Sequence, residues 1–265
     1  MSNVAKRILV GVIAAPVLLF LVYERGLYFL VFSMIVCALG LWELYTMFEK
    51  KKFFILKKIS ILFSLLMMIT AYYSLENLIY LMIVFYILII SFEVFRKDKR
   101  NPKNPFIAVF GVIYITVPLI MLNLLLKIPG FNIVLYCIIL IWVTDTFAYF
   151  GGKALGKRQL SDISPSKTIE GAVIGLIMAV IVSFAYREFF ASEITVIDAV
   201  IMGLAIGFFG PVGDLFESIL KRYVDVKDSS NIIPGHGGVL DRFDSLIFIS
   251  PFIYIYYTYL RYFIN

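Results

Sequence analysis

"SILKRYVDVKDSSNIIPGHGGVLDRFDS", Ser218–Ser245, gathers eight charged side chains, the only histidine of the chain, three glycines and a proline between two apolar runs, residues 196–220 and 243–263. The chain as a whole is 62% hydrophobic and 16% charged, with 25 Phe and 17 Tyr. That leaves too little polar surface to cover a soluble globule of 265 residues, so lipid must be part of its solvent. A charged insert flanked by long apolar runs then reads as a loop between membrane helices.

The same alternation recurs along the chain. Apolar runs cover approximately residues 8–23, 27–48, 59–75, 78–95, 106–126, 131–150, 168–186, 196–220 and 243–263. Each is long enough to cross a hydrocarbon core about 30 Å thick at about 1.5 Å per helical residue. The expectation is an all-α, polytopic integral membrane protein with about nine transmembrane helices. About five of them lie in an N-terminal part, 1–130, and the rest in a C-terminal part, 131–265, that carries the chemistry. Lys6 and Arg7 give the first run a signal-like start. However, "YERGLYF" follows it rather than a small-residue cleavage site, so it is read as a retained helix.

Basic residues set the expected orientation. With the N-terminus in the cytoplasm, 20 of the 24 Lys and Arg residues fall on the cytoplasmic side, leaving Arg25, Lys127, Arg187 and Arg261 outside. This bias accounts for the net charge of +6 without nucleic acid, for which there is no fold signature. Cys37 and Cys137 lie in apolar runs without metal-ligand spacing and read as packing residues. The loops "EKKKFFILKK" and "FRKDKRNPK" read as anchors for anionic membrane lipids.

Two cytoplasmic segments combine charge with glycine: Thr144–Gly171 and Gly210–Ser245. In the first, Gly151–Lys157 spells the start of a phosphate-binding P-loop. Arg158 stands where Ser or Thr should bind magnesium, and an apolar helix rather than a strand precedes it, so that reading is rejected. Ser164 and Pro165 look like an N-cap and first helical residue, which puts Lys167 and Thr168 in a helical first turn that favours an anion. A plain cap, with Lys167 reaching to headgroups, fits this segment equally well.

Carboxylates in apolar helices are costly unless paired, metal-bound or hydrated, which makes each one a candidate site residue. Asp145 lies late in the sixth run. Asp214, Glu217, Ser218 and Lys221 share one helical face, and Asp241, Asp244 and Ser245 repeat that spacing. Glu217–Lys221 could equally be an i, i+4 ion pair and no more. Glu43 and Glu93 are expected to pair with Lys50 and Arg96. "GPVG", ahead of Asp214, is expected to break its helix and line a cavity. "PGHGG" is expected to bring backbone N–H groups to a ligand.

Taken in order, Ser218, Lys221, Arg222, Lys227, Asp228, Pro234, His236, Gly237, Gly238, Asp241, Arg242 and Asp244 closely resemble the S-x-x-K-R-x4-K-D…P-x-H-G-G-x-x-D-R-x-D signature of phosphatidate cytidylyltransferases, with no departure. "SPSKTIEG", Ser164–Gly171, resembles a second block of that family. The resemblance implies that CTP and phosphatidate give CDP-diacylglycerol and pyrophosphate, with Mg2+, in the plasma membrane at its cytoplasmic face. On it rests the expected division of roles. Asp214, Asp241, Lys221 and His236 are catalytic; Ser164, Lys167, Thr168, Arg222, Lys227, Gly237, Gly238 and Arg242 bind substrate; Asp214, Asp241, Asp244 and Asp145 hold metal. A homodimer is compatible with the sequence. The rivals are a cation transporter, which usually shows a second broken helix, a structural or lipid-scaffolding membrane protein, which would not need Asp214, Asp241 and Asp244 near the interior, and, within enzymes, a CTP-dependent polyprenol kinase, which would release CDP.

Overall fold

The computed structural model describes residues 3–233 and 235–264, with side chains described from Gly11 to Phe263. Pro234 of the signature and the side chains of Lys6 and Arg7 lie outside the described residues. Every long apolar run is helical, as a backbone in hydrocarbon requires, because only local bonding satisfies each N–H and C=O there. The helices are α1 Asn3–Glu24, α2 Gly26–Glu49, α3 Lys57–Tyr73, α4 Leu78–Phe95, α5 Lys103–Gly111, α6 Val117–Leu125, α7 Ile133–Leu155, α8 Ile169–Phe190, α9 Val196–Tyr223, α10 Leu240–Ile255 and α11 Arg261–Ile264. A 3-10 turn, Leu75–Asn77, leads into α4, and π-helical turns, Val112–Thr116 and Tyr256–Leu260, join α5 to α6 and α10 to α11. Among the described residues there is no strand, only two isolated β-bridges, Gln159–Thr168 and Ile233–Gly237.

Among the described residues, six helical stretches are long and apolar enough to cross a membrane: Gly26–Glu49, Leu75–Phe95, Lys103–Leu125, Ile133–Leu155, Ile169–Phe190 and Val196–Tyr223. The protein is an all-helical membrane protein. On α8 the stripe Val173, Ile177 and Ile181 is about half exposed at helical spacing, the surface a lipid tail covers at no cost.

Two compact units emerge: Met1–Leu124 with Tyr223–Arg242, and Leu125–Arg222 with Phe243–Asn265. The segment after α9 thus packs with the N-terminal helices.

In the first unit α2 packs on α3 and α5. Tyr45 Oη donates to the Ala108 carbonyl at 2.7 Å, and Thr116 Oγ1 donates to Ser64 Oγ at 2.9 Å. Cys37, within 3.4 Å of Thr116 Oγ1, is buried and free, as is Cys137 of the second unit.

The second unit is built on close helix approach. A Cβ at Gly171 would lie 2.5 Å from the Ala148 carbonyl oxygen, and one at Gly175 would lie 2.7 Å from that of Thr144. Small residues on α8 thus let α7 lie directly against it, the usual way membrane helices gain packing without a hydrophobic driving force. α9 runs unbroken through Pro211, contrary to the break expected at "GPVG". The bonding lost at the proline is confined to one turn, and Ser245 Oγ donates to the Gly210 carbonyl at 3.0 Å beside it.

Candidate active site

In the second unit the α7–α8 connection is a folded loop. Glu170, on the first turn of α8, accepts the N–H groups of Lys157 and Arg158 at 3.0 and 3.2 Å, and Arg158 Nε at 3.1 Å. The Leu160 N–H donates to the Lys167 carbonyl at 2.8 Å, and the Ile169 N–H to that of Arg158 at 3.0 Å. These bonds close a hairpin-like loop that aims Lys167 inward.

The N-cap of α8 is Thr168, whose Oγ1 accepts the Gly171 N–H at 3.1 Å, four residues beyond the expected cap at Ser164. Ser164 and Pro165 instead open a turn closed by the Lys167 N–H on the Ser164 carbonyl at 3.0 Å. Ser-Pro suits both geometries, since a fixed proline φ serves the second turn position as well as the first helical one. Gly156 caps α7, so the P-loop look-alike is a helix end.

The loop, α7, α8 and α9 line an open cavity of about 570 Å3, with Asp145, Tyr149, Lys153, Lys167, Thr168 and Asp214 among its walls. Across it Lys167 Nζ forms an ion pair with Asp214 Oδ2. Ser218 Oγ reaches Asp214 Oδ1 at 3.5 Å. Asp214 and Glu217 both lie near enough to bear electrostatically on Asp244. Glu217 is fully buried and lies 3.4 Å from Lys221 Nζ, an i, i+4 pair. Lys221, expected at a phosphate, is therefore largely buried beside a carboxylate, whereas Arg222 is exposed.

The signature loop belongs to the first unit, and its residues are arranged differently. The Ile233 N–H donates to the Gly237 carbonyl and the His236 N–H to that of Ile233, both at 2.9 Å. Gly237 has φ +83°, and a Cβ there would lie 2.6 Å from Asp241 Oδ2. At Gly238 a Cβ would overlap Ser229 Oγ and the Glu43 carboxylate. Only glycine fits at either position. Asp241 Oδ2 accepts the N–H of Ser229 at 2.9 Å, its hydroxyl at 2.8 Å and the Gly238 N–H at 2.8 Å. The Gly238 N–H that was expected to face a ligand is thus held by the protein's own carboxylate. Arg242 Nε donates to the His236 carbonyl at 3.0 Å, and Lys227 is exposed. His236 Nδ1 is buried and has no hydrogen-bond partner among the described residues.

Sequence reasoning missed Glu43. Glu93 meets Arg96 at 3.2 Å as expected, but Glu43 collects donors from the signature loop: Ser229 Oγ at 3.0 Å, Ser230 Oγ at 2.6 Å, Val239 N–H at 2.9 Å and Leu240 N–H at 2.8 Å. A signal was present. Lys50 stands seven residues on, about 10 Å along a helix and two turns away, out of reach of an i, i+4 pair.

The cytidylyltransferase family model matches residues 5–260. A protein of Bacillus subtilis (strain 168) named phosphatidate cytidylyltransferase is 35% identical over 96% of this chain and 97% of its own. One of the same name from Staphylococcus aureus (strain COL) is 34% identical over 94% and 97%, and one from Staphylococcus saprophyticus is 33% identical over 94% and 97%. The chain belongs to the cytidylyltransferase family. It is a nucleotidyltransferase enzyme of the membrane.

Proposed function

We propose that this protein is a phosphatidate cytidylyltransferase of the bacterial plasma membrane, joining CTP to phosphatidate to give CDP-diacylglycerol and pyrophosphate. The observation that carries the reading is full-length similarity to proteins of that name in a chain that keeps the whole signature from Ser218 to Asp244. A phosphate oxygen of phosphatidate attacks the α-phosphorus of CTP. A P–O bond forms there, and the bond to the β-phosphate breaks with its electron pair leaving on pyrophosphate. The attacking group is already an anion, so catalysis consists mainly of positioning two polyanions and neutralising charge.

Lys167 lines the cavity and supplies a cation held by Asp214. Thr168 and the turn at Ser164 fix the loop that carries it. Arg222, Lys227 and Arg242 are the exposed cations offered to phosphates, Lys221 adds buried positive charge, and the open Nδ1 of His236 is available to orient a phosphate or relay a proton.

Mg2+ is part of the proposal. Among the described residues no three His, Cys, Asp or Glu side chains gather into a ready metal cage. That suits magnesium, which is usually held by one or two carboxylates plus substrate phosphates. Asp214 with its neighbour Asp244 fits this donor set, with Asp145 on the wall of the same cavity. Asp241, within the signature loop, is proposed as a metal ligand in its own right. Bound there, the ion would neutralise charge developing on the phosphates.

The proposed topology has about nine crossings. It adds α1, α3 and the run from α10 through α11 to the six longer spans, with the N-terminus and the active site on the cytoplasmic side, as the distribution of 20 of 24 basic residues supports.

The test is a product assay in detergent with CTP labelled at the α-phosphate. Label is expected in an organic-soluble lipid only when phosphatidate and Mg2+ are both present, and EDTA or Asp241→Asn is expected to stop it. Label recovered as CDP would point to a lipid kinase and overturn the proposal, as would label that stays in CTP.

A further inference from the structure

A carboxylate at 1% exposure within an apolar helix must be compensated, because desolvation penalises the charge heavily. Glu43 is compensated by four neutral donors, and among the described residues no cation lies within ion-pair distance of it. The donors fall in an ordered way. Oε1 takes Ser230 Oγ and the Val239 N–H, while Oε2 takes Ser229 Oγ and the Leu240 N–H. Each oxygen therefore ties the front of the signature loop to its end, where α10 begins. The backbone donors at the α10 N-terminus, an anion site by dipole and by geometry, are filled from α2.

Ser229 links this carboxylate to a second one. Its single hydroxyl proton is shared between Glu43 Oε2 at 3.0 Å and Asp241 Oδ2 at 2.8 Å. Asp241 also holds Gly238, the residue against which the Glu43 carboxylate packs so closely that no side chain fits. Glu43 thus bears on the orientation of Asp241 although it lies outside the signature.

We propose that Glu43 is a positioning residue for the transfer reaction: from α2 it holds the Ser229–Leu240 loop in the one arrangement that orients Asp241. This rests on the reading of the loop as part of a cytidylyltransferase site. Glutamine at this position keeps the shape but cannot keep the bonds. Each oxygen accepts one backbone N–H, so whichever way the amide turns, its NH2 faces a donor that cannot reverse. Charge and half of the acceptors are lost together.

The test uses the full-length protein in detergent, with Glu43→Gln, the milder Ser230→Ala, and the double variant. Hydrogen exchange in peptides spanning 228–241 is expected to speed up by about tenfold or more in Glu43→Gln while α7 and α8 peptides stay as in wild type. In the transfer assay kcat is expected to fall by about tenfold or more with both KM values within about threefold, the pattern of lost positioning rather than lost binding. The double variant should be no worse than Glu43→Gln alone, because both act through one contact. Unchanged loop exchange, a loosened loop with wild-type kcat, or equal loosening of α7 and α8 would each overturn the proposal. If wild type transfers no label to phosphatidate, the cytidylyltransferase reading fails by itself, and the exchange experiment still decides whether Glu43 holds the loop.

Discussion

The signature loop and the α7–α9 cavity are both rich in carboxylates, but they use them oppositely. In the loop, Glu43 and Asp241 face neutral N–H and hydroxyl donors, and glycines are required so that the backbone can close on them. In the cavity, Asp214 faces the ammonium of Lys167 across a space of about 570 Å3. Glu43, with both oxygens bonded to fixed donors, defines a shape, and Asp241, bonded through Oδ2, is held by the same loop in one orientation. An ion pair at the wall of a cavity can exchange partners when a polyanion and its counter-ion enter, because both members gain alternatives as good as each other. Acidic residues drawn from one short list in the sequence therefore divide into those held by neutral donors in a closed loop and one that faces a cation at a cavity wall.

That contrast can be broken by experiment. The largest effect should follow Asp214→Asn, which removes a full charge from the cavity at nearly constant shape. Turnover should drop by about two orders of magnitude or more while hydrogen exchange in the 228–241 loop stays unchanged. A loosened loop in this variant would show that the two regions do not divide the work as described.

A smaller effect, of opposite kind, should follow Gly238→Ala. The new methyl overlaps Ser229 Oγ and Glu43, so loop exchange should rise and activity fall by roughly tenfold, both through one displacement. An intact, protected loop with alanine there would mean that the closure is looser than the geometry implies. The smallest effect should come from Asp225→Asn, which removes the charge and keeps a residue type that tolerates the left-handed φ of +58° there. Its ion pair with Lys51 at 2.5 Å lies on the exposed edge of the same loop, with the Asp225 side chain 77% exposed, and such pairs contribute little. Activity within about twofold of wild type is expected. A larger loss would show that exposed charge, not the buried carboxylates, holds the loop.

The helices were legible in the sequence because apolar run length is a direct consequence of bilayer thickness. The family was legible because a dozen specified positions between Ser218 and Asp244 match in order. Local ambiguity accounts for what was displaced: Ser164-Pro165 serves a turn or a cap equally well, and Pro211 removes one donor without ending α9. Long-range pairing accounts for what was missed. The partners of Glu43 lie 186 to 197 residues away, and no periodicity or spacing reports on such pairs. The absence of a basic residue one turn from Glu43 was the available hint.

The distance along the chain between Glu43 and Leu240 also bears on how the protein is made. At about 5–20 residues per second, the ribosome needs roughly 10–40 s after completing α2 to deliver the residues that satisfy its glutamate. Until Ser229 is made, α2 carries an acidic group with none of its final partners, so it must remain near water or be shielded by another protein of the insertion machinery. A chain that stops short of Ser229 never leaves this state, and one that stops short of Val239 lacks both backbone donors. Nascent chains arrested between α9 and α10 should accordingly be the forms that quality-control proteases of the membrane remove first.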